Sequence, residues 1–192
     1  MKLGIFGGTF DPPHMGHLIV AEHVREELGL DRVVFVPCST PPHKQENEIT
    51  PGHRRMEMVR LAIAGNPAFD DSDMELVRGG VSYTVETLLE FSKQHPDWEL
   101  FFLVGMDNIG DFYTWLKPER ILELSVIVVV KRPGYEFPGE LAIPDAVVCE
   151  VPDIEIGSRV IRERVREGRS IRHLVPDSVL DFIVDEKLYR GA

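Results

Sequence analysis

Short apolar runs alternate with segments of helical spacing along nearly the whole chain. Val, Ile, Leu and Phe dominate the apolar runs, which lie at residues 3–6, 33–37, 101–104, 126–130 and 147–151. Between them, apolar residues recur at helical intervals over residues 14–28, 53–64, 85–94, 118–124, 159–166 and 178–186. Strands that are apolar on both faces are typical of a parallel sheet covered by helices on each side. The alternation therefore predicts an α/β fold.

The predicted architecture is Rossmann-like, a doubly wound parallel sheet with helices on both faces. At 192 residues the chain is long enough for one full core, so we expect a single domain over residues 1–192. Its C-terminal part, from about residue 158, is expected to be helical. Residues 74–78 are a candidate for a further, more polar strand, and residues 38–52 for a long loop. In such sheets, ligands bind beyond the carboxyl ends of the strands.

Composition narrows the class of partner. The net charge of −11 argues against a general nucleic-acid binder, which would need a broad basic face. The longest apolar run, residues 126–130, is far too short to span a bilayer. Cys38 and Cys149 lie in apolar, strand-like runs, and we expect them to be buried free thiols in a reducing cytoplasm. The expected partners are small molecules, with neither nucleic acid nor membrane, and assembly into a homo-oligomer is left open.

The segment that follows the first predicted strand carries the strongest chemical signal. Residues 7–17 read GGTFDPPHMGH, a glycine turn that runs into the first turn of a helix. His14 and His17 are three residues apart and share one face of that turn. A helix N-terminus suits an anion, and two imidazoles add donors toward the same place, so a phosphate site is predicted here. The G-x-G-x-x-G and P-loop spacings are absent, and helix-capping histidines or a zinc site remain alternatives at this point.

Three further segments follow predicted strands or open predicted helices. Lys44, in the sequence PPHK, can carry a mobile charge toward a phosphate, or can be a solvated loop lysine. Ser82 or Thr84 can cap the helix that follows Gly79 and Gly80, and amides there can hold a small carboxylate. Past the strand at 101–104, an acidic residue of the sequence GMDN can accept from a ribose or hold magnesium through water. Eight residues further on, a tryptophan is either part of the core or a wall for a flat ring.

The local net charge changes from negative to positive close to the C-terminus. Residues 158–172 contain six arginines and two acidic residues, although the chain as a whole is acidic. Ser158 and Arg162 are four residues apart and share a helix face. The planar guanidinium of Arg162 can offer two donors to phosphate oxygens. Arg164 and Arg166 are interpreted as solvated partners of acidic neighbours.

The motifs occur together in one order. Residues 7–17 resemble the G-x-F-x-P-x-H-x-G-H region of the nucleotidylyltransferase superfamily. The PPHK, SYT and GMD segments, the tryptophan and the sequence IGSRVIR resemble those of bacterial nicotinate-nucleotide adenylyltransferases, and the resemblance extends from Gly7 to Pro176. It implies transfer of the adenylyl group of ATP to nicotinate mononucleotide, giving deamido-NAD and pyrophosphate. It also implies Mg²⁺ held mainly by the substrate phosphates, without a metal site made of protein side chains.

The resemblance assigns roles residue by residue. The implied catalytic residues are His14, His17, Lys44 and Arg162. The implied ATP-binding residues are Gly7, Gly8, Thr9, Phe10, His14, His17, Gly105, Asp107, Ile156, Ser158 and Arg162. The implied contacts of nicotinate mononucleotide are Gly8, Thr9, Lys44, Ser82, Tyr83, Thr84 and Trp115.

Two positions depart from the family pattern. Gly157 and Arg159 stand where the I-S-S-T-x-I-R motif has serine and threonine. Two hydroxyls near the triphosphate are therefore missing, and Arg159 adds a charge. The alternatives are another adenylyl- or cytidylyltransferase, such as a phosphopantetheine adenylyltransferase, or a nucleotide-binding protein that has lost catalysis.

Overall fold

Six parallel strands form one sheet in the computed structural model, which describes residues 1–41, 49–131, 143–152 and 154–190. The strand order in the sheet is β3-β2-β1-β4-β5-β6. The strands are β1 (Lys2–Gly8), β2 (Arg32–Pro37), β3 (Phe69–Asp71), β4 (Glu99–Gly105), β5 (Val126–Lys131) and β6 (Val147–Glu150). This is the order of a doubly wound Rossmann-like sheet, as the sequence predicts.

Helices connect the strands and follow the last of them. They are α1 (Met15–Glu27), α2 (Gly52–Ile63), α3 (Met74–Arg78), α4 (Thr84–Gln94), α5 (Met106–Ile109), α6 (Pro118–Leu124), α7 (Ser158–Arg166) and α8 (Asp177–Asp185), with a 3₁₀ turn at Phe112–Thr114. Apart from β3, α3, α5 and the 3₁₀ turn, every element begins and ends within two residues of its predicted bounds.

The order of the strands reverses at β1. This strand pairs with β2 on one side and with β4 on the other, and the chain crosses the sheet between them. Connections from β1 and β4 leave in opposite directions, which opens a crevice at their carboxyl ends. Gly8 and Gly105 end these two strands, so the residues that follow them meet at the crevice.

Each face of the sheet has its own core. On one face, Leu88 of α4 and Ile121 of α6 are fully buried against Ile5 and Val129. On the other face, α1 and α2 cover the sheet through fully buried residues such as Val24 and Val59. Because both faces are covered, the inner strands β2, β4 and β5 are apolar over nearly their whole length, and this explains the sequence pattern.

A third cluster joins the C-terminal helices to the sheet domain. Ile161 of α7 and Val179 of α8 pack around Met58 of α2, and all three are fully buried. The helical segment from residue 158 therefore shares its core with α2. This contact brings the C-terminal segment beside the loop that follows β1.

Residues 74–78 are a helix, so the prediction of a strand there is wrong. Their order of polar and apolar residues matches one helical turn as well as it matches a strand, and five residues do not separate the two. The structure turns Glu75 inward and leaves Val77 exposed. The strand on this side of the sheet is β3, which sequence periodicity missed because it has three residues, two of them aspartates.

Two other expectations concern the membrane and the cysteines. Within the described ranges, no helix is both long enough and apolar enough to cross a bilayer. Cys38 and Cys149 are buried free thiols, as predicted. Burial raises the pKa of the Cys149 thiol above its ordinary value.

Candidate active site

The loop after β1 is anchored by Phe10. Its ring is 2% exposed and packs edge-on against Phe6 and His17, with centroid distances of 5.6 and 5.0 Å. A Cβ atom at Gly8 would lie 3.0 Å from this ring, so glycine at that position lets the ring fold back under the strand end. Phe10 has a φ of +48°, which makes a tight reversal of the backbone. The buried ring therefore anchors the loop beneath the end of β1.

His14 and His17 lie together at the start of α1. Their rings stack with centroids 3.6 Å apart and an interplanar angle of 24°. Nδ1 of His17 accepts a hydrogen bond of 3.1 Å from the backbone N–H of His14, the N-cap residue. The pair therefore does cap the helix, as the simpler interpretation of H-x-x-H predicts. Because Nδ1 is an acceptor, the neutral His17 ring carries its proton on Nε2 and can donate from that atom to a ligand.

The amino end of α1 is partly used by the protein itself. The amide of Met15 donates to the Leu174 carbonyl at 2.9 Å, and the amide of His17 donates to the His14 carbonyl at 2.9 Å. The helix N-terminus is thus less open to an anion than the sequence suggests. The prediction of an anion site here therefore depends more on the imidazole rings than on the helix amides.

Helix α7, which packs against α2, contacts the same loop. The hydroxyl of Ser158 donates to the Pro12 carbonyl at 2.8 Å, and Nη1 of Arg162 donates to the Asp11 carbonyl at 2.7 Å. The structure therefore brings Ser158 and Arg162 together with the histidine loop, across about 150 residues of chain. A guanidinium has five N–H donors, so a bond to one carbonyl leaves others for phosphate oxygens.

The two residues that depart from the family pattern lie at the amino end of α7. Gly157 is the N-cap residue, and an added Cβ there would meet nothing within 4 Å. The Arg159 side chain is 83% exposed, and its Nε lies 3.8 Å from Oε1 of Glu163. The structure thus orients Arg159 toward an acidic neighbour on its own helix.

The carboxylate of Asp11 is a feature of this loop that the sequence analysis missed. Asp11 is buried, and its Oδ1 accepts a hydrogen bond of 2.6 Å from the hydroxyl of Tyr189. Its Oδ2 accepts one of 3.2 Å from the amide of Thr50. Both oxygens of this carboxylate are therefore engaged by the protein, and one donor comes from the C-terminal end of the described chain.

The second missed residue is Arg55 of α2, which is 1% exposed. Its guanidinium donates to backbone carbonyls in three separate segments. These bonds go to Thr9 at 2.8 Å, to Cys38 at 2.7 Å, to Ser39 at 3.2 Å and to Thr50 at 2.8 Å. Arg55 therefore links the loop after β1 to the chain that leaves β2. No sequence signal identified it, because it is one of two adjacent arginines on a helix of mixed polarity.

The segment before α4 is docked on the end of β2. Ser82 Oγ accepts from the Ser39 amide at 2.9 Å, while the amides of Thr40 and Ser82 bond to Gly80 and Thr40 at 3.2 and 3.0 Å. The prediction that Ser82 or Thr84 caps α4 is wrong. The N-cap residue is Tyr83, which makes no side-chain cap bond, and Ser82 is held by its bond to Ser39 instead.

A buried acid lies beside this segment. The Glu75 carboxylate accepts hydrogen bonds from the hydroxyls of Thr87 and Ser82. Burial raises the pKa of Glu75 above its ordinary value, and the two hydroxyl bonds oppose that rise. The amino end of α4 therefore already has an acidic neighbour from α3.

Trp115 is half-buried near the same edge of the sheet. Its ring packs on Phe112 and Phe102, with centroids 5.5 and 6.2 Å away. A Cβ atom at Gly7 would lie 3.7 Å from the Phe102 ring, so one phenylalanine separates Trp115 from the end of β1. Both interpretations of this tryptophan are consistent with the packing, because the ring contacts the core and is also partly exposed.

The remaining predicted site residues lie in separate parts of the chain, and one of them is not described by the structure. Gly105 is the N-cap residue of α5, at the end of β4 beside β1, and Asp107 belongs to α5. Ile156 packs on the C-terminal cluster, next to α7. Lys44 lies outside the described residues. Among the residues that are described, no group of three or more His, Cys, Asp and Glu side chains is arranged to hold a metal ion.

The comparisons with known proteins agree with this geometry. A family model described as cytidylyltransferase-like matches residues 5–178. A protein of Thermus thermophilus named "Probable nicotinate-nucleotide adenylyltransferase" is 46% identical over 190 residues, which cover 99% of this chain and 100% of that protein. A protein of the same name from Thermomicrobium roseum is 47% identical over 196 residues, covering 98% of this chain and 92% of that protein.

The chain belongs to the nicotinate-nucleotide adenylyltransferase family. A solved structure supports the fold: nicotinic acid mononucleotide adenylyltransferase of Plasmodium falciparum, complexed with NaAD, aligns with a TM-score of 0.83. The alignment covers 98% of this chain and 97% of that one at 20% identity, which supports the fold alone.

The contacts of Arg55 predict a large effect of its substitution on the stability of this protein. Arg55→Met keeps an apolar stem and removes the donors of four backbone carbonyls, so we expect a loss of about 3 kcal/mol in the free energy of unfolding. The matched control is Arg60→Met on the same helix, because Arg60 is half-exposed and contacts Asp71 at 3.2 Å. Its expected cost is less than about 1 kcal/mol. Urea unfolding measures both, and equal losses would contradict this role for Arg55.

The raised pKa of Glu75 predicts a dependence of stability on pH. The folded state binds the carboxyl proton of Glu75 more tightly than the unfolded state, in which the pKa of this carboxyl has its ordinary value of 4.5. The stabilisation is therefore complete below that value and is lost as the pH rises through the raised pKa of the folded state. Glu75→Gln has no such proton, so wild type should lose stability relative to Gln as the pH rises from below 4.5 toward neutral pH. Unfolding free energies that run parallel over this range would disprove the assignment.

Proposed function

We propose that this chain transfers the adenylyl group of ATP to nicotinate mononucleotide, forming deamido-NAD and pyrophosphate. One observation carries the proposal: the stacked pair His14 and His17, with Ser158 and Arg162 of α7, surrounds a single loop at the crevice beside β1. Relatives covering nearly the whole chain support the choice of reaction. The fold places this loop where doubly wound sheets bind nucleotides.

The reaction is a displacement at phosphorus. An oxygen of the mononucleotide's 5′-phosphate forms a bond to the α-phosphorus of ATP, and the bond between that phosphorus and the β-phosphate bridging oxygen breaks. Pyrophosphate leaves with the electron pair of that bond. The attacking phosphate is already ionised, so the protein needs no general base. Catalysis then depends on orientation and on stabilising negative charge in the transition state.

The proposed roles follow from the contacts of each side chain. Nε2–H of His17 donates to the α-phosphate, and His14 lies stacked beside it. The donors of Arg162 that are not bonded to Asp11 stabilise charge on the triphosphate, and Lys44 is assigned the same task. The chain segments of Gly7, Gly8, Thr9 and Phe10 with Gly105, Asp107, Ile156 and Ser158 complete the ATP site.

The acceptor site is proposed at the neighbouring strand ends. In the segment Ser82–Tyr83–Thr84, the amides of Tyr83 and Thr84 are offered to the nicotinate carboxylate, while the Ser82 amide is bonded to Thr40. The exposed part of the Trp115 ring offers a face to the pyridine. The bonds of Ser82 to Ser39 and Thr40 support this placement, because they fix the segment beside the end of β2.

Magnesium is proposed to arrive with ATP and to be held mainly by phosphate oxygens. When bound there, it neutralises charge on the triphosphate and on the leaving pyrophosphate. The loop after β1 holds one buried carboxylate, that of Asp11, and both its oxygens already accept hydrogen bonds. We also propose a cytoplasmic location, which the two free thiols support.

The direct test is an assay of purified protein with ATP, Mg²⁺ and one acceptor at a time. Nicotinate mononucleotide should give pyrophosphate and a dinucleotide. Product from phosphopantetheine instead would assign the chain to a different transferase. Binding of ATP with no product from any acceptor would favour a nucleotide-binding protein without catalysis.

His17→Ala tests the proposed phosphate donor. Removing one preorganised donor should lower kcat by about 10²–10³-fold, with a much smaller change in ATP binding. The matched control is His23→Ala on the same helix, two turns beyond the loop, which should keep the wild-type kcat. A wild-type kcat in the His17 variant would remove this histidine from the reaction.

A further inference from the structure

The chain beyond α8 returns to the loop that carries the two histidines. The hydroxyl of Tyr189 donates to Oδ1 of Asp11 at 2.6 Å and lies 3.8 Å from the sulfur of Met58. Asp11 and Tyr189 are 178 positions apart in the sequence. The contact therefore connects the C-terminal segment directly to the proposed phosphate site.

The backbone around Tyr189 is held in an uncommon conformation. Lys187 and Tyr189 have φ values of +53° and +60°, a region that residues other than glycine seldom occupy. The residue between them, Leu188, is buried in the C-terminal cluster, and its amide donates to the Ile183 carbonyl at 3.0 Å. Strain of this kind persists where surrounding contacts hold it, and it is concentrated at functional sites. Here the contacts that hold it are the burial of Leu188 and the bond to Asp11.

Asp11 places a buried negative charge in the loop beside the proposed triphosphate site. Two donors, the Tyr189 hydroxyl and the Thr50 amide, each satisfy one of its oxygens. Burial and the Asp11 charge raise the pKa of Tyr189 well above its ordinary value, so the hydroxyl keeps its proton. The backbone carbonyl of Asp11 accepts a hydrogen bond from Arg162. Asp11 is thus the point at which the C-terminal segment and α7 meet the loop.

We propose that Tyr189 is a positioning residue that acts through Asp11. By donating to the carboxylate, it fixes the Asp11 backbone so that the Asp11 carbonyl holds Arg162 beside His14 and His17. Without the hydroxyl, Oδ1 of Asp11 loses the donor that holds it, and Arg162, which already binds the carbonyl of the same residue, can supply one. The guanidinium would then turn toward Asp11 and away from the phosphates. This inference rests on the proposed function of the loop.

The test is Tyr189→Phe, which removes one oxygen atom and keeps the ring. We expect kcat to fall about tenfold, less than the ~10²-fold that a 1 Å misplacement can cost. KM for nicotinate mononucleotide should stay within about twofold, since α4, which follows the proposed acceptor segment, and Trp115 pack on the opposite face of the sheet from Tyr189. The matched control is Ser178→Ala, which removes another hydroxyl bond of the C-terminal segment, from Ser178 to the Leu61 carbonyl at 3.0 Å. It should keep the wild-type kcat.

A double-mutant cycle shows whether Tyr189 acts through Asp11. Asp11→Asn replaces one acceptor oxygen with a donor, and in that background Tyr189→Phe should change kcat less than about twofold. An equal fold-change in both backgrounds would overturn the proposal. So would wild-type kcat in Tyr189→Phe, or a fall in kcat that Ser178→Ala reproduces together with a matching fall in Tm.

A second readout does not need the reaction. Amide hydrogen exchange of the peptide that contains residues 9–17 should be faster in Tyr189→Phe than in wild type or Ser178→Ala. If wild type forms no dinucleotide, the proposed function fails and this exchange measurement still tests the contact. Unchanged exchange in Tyr189→Phe would overturn the positioning role, whatever the reaction is.

Discussion

The buried guanidinium of Arg55 binds backbone carbonyls and so holds together the loops at the carboxyl ends of β1 and β2. Removing a charge from water costs several kcal/mol, and a protein usually recovers this with an ion pair. The four hydrogen bonds of Arg55 go instead to neutral carbonyls: Thr9 after β1, Cys38 and Ser39 after β2, and Thr50 just before α2. A planar fork with five donors can satisfy several carbonyls at fixed angles, which a lysine cannot do. The loops therefore have one common attachment point within α2, an element that is itself packed on the sheet.

The topology explains why this attachment is needed. A parallel sheet places all its carboxyl ends on one edge, and the connections there have no ladder partners for their carbonyls. Thr9, Cys38 and Ser39 are residues of this kind, since they follow β1 and β2 directly. Arg55 of α2 supplies a donor to the Thr9 carbonyl, and α7 supplies donors to the carbonyls of Asp11 and Pro12. The C-terminal segment adds the Tyr189 hydroxyl, which donates to the Asp11 carboxylate. The histidine loop is consequently held from three directions before any ligand arrives.

The sequence predicted those parts of the structure that depend on residues close together in the chain. Strands buried on both faces must be apolar, so five of the six could be located, whereas the short edge strand β3 carries two aspartates and escaped detection. Helical spacing places His14 with His17 and Ser158 with Arg162 on shared faces, and the resemblance of their segments to family motifs singled them out. Arg55, Asp11 and Tyr189 were not found, because their partners are backbone groups or residues far away in the chain. A bond from a side chain to a backbone carbonyl leaves no trace in the identity of the residue that accepts it.

The departures at Gly157 and Arg159 show how the site tolerates a change of sequence. A serine at the N-cap position of α7 would offer a hydroxyl to the first amides of the helix, and glycine offers none. The backbone of Gly157 is extended, with φ of −132°, so glycine is not required there by conformation. The attachment of α7 to the loop depends instead on Ser158 and Arg162, one helical turn apart, which bond to consecutive carbonyls. Because neither bond involves residue 157 or 159, both positions can vary while α7 keeps its place beside the histidines.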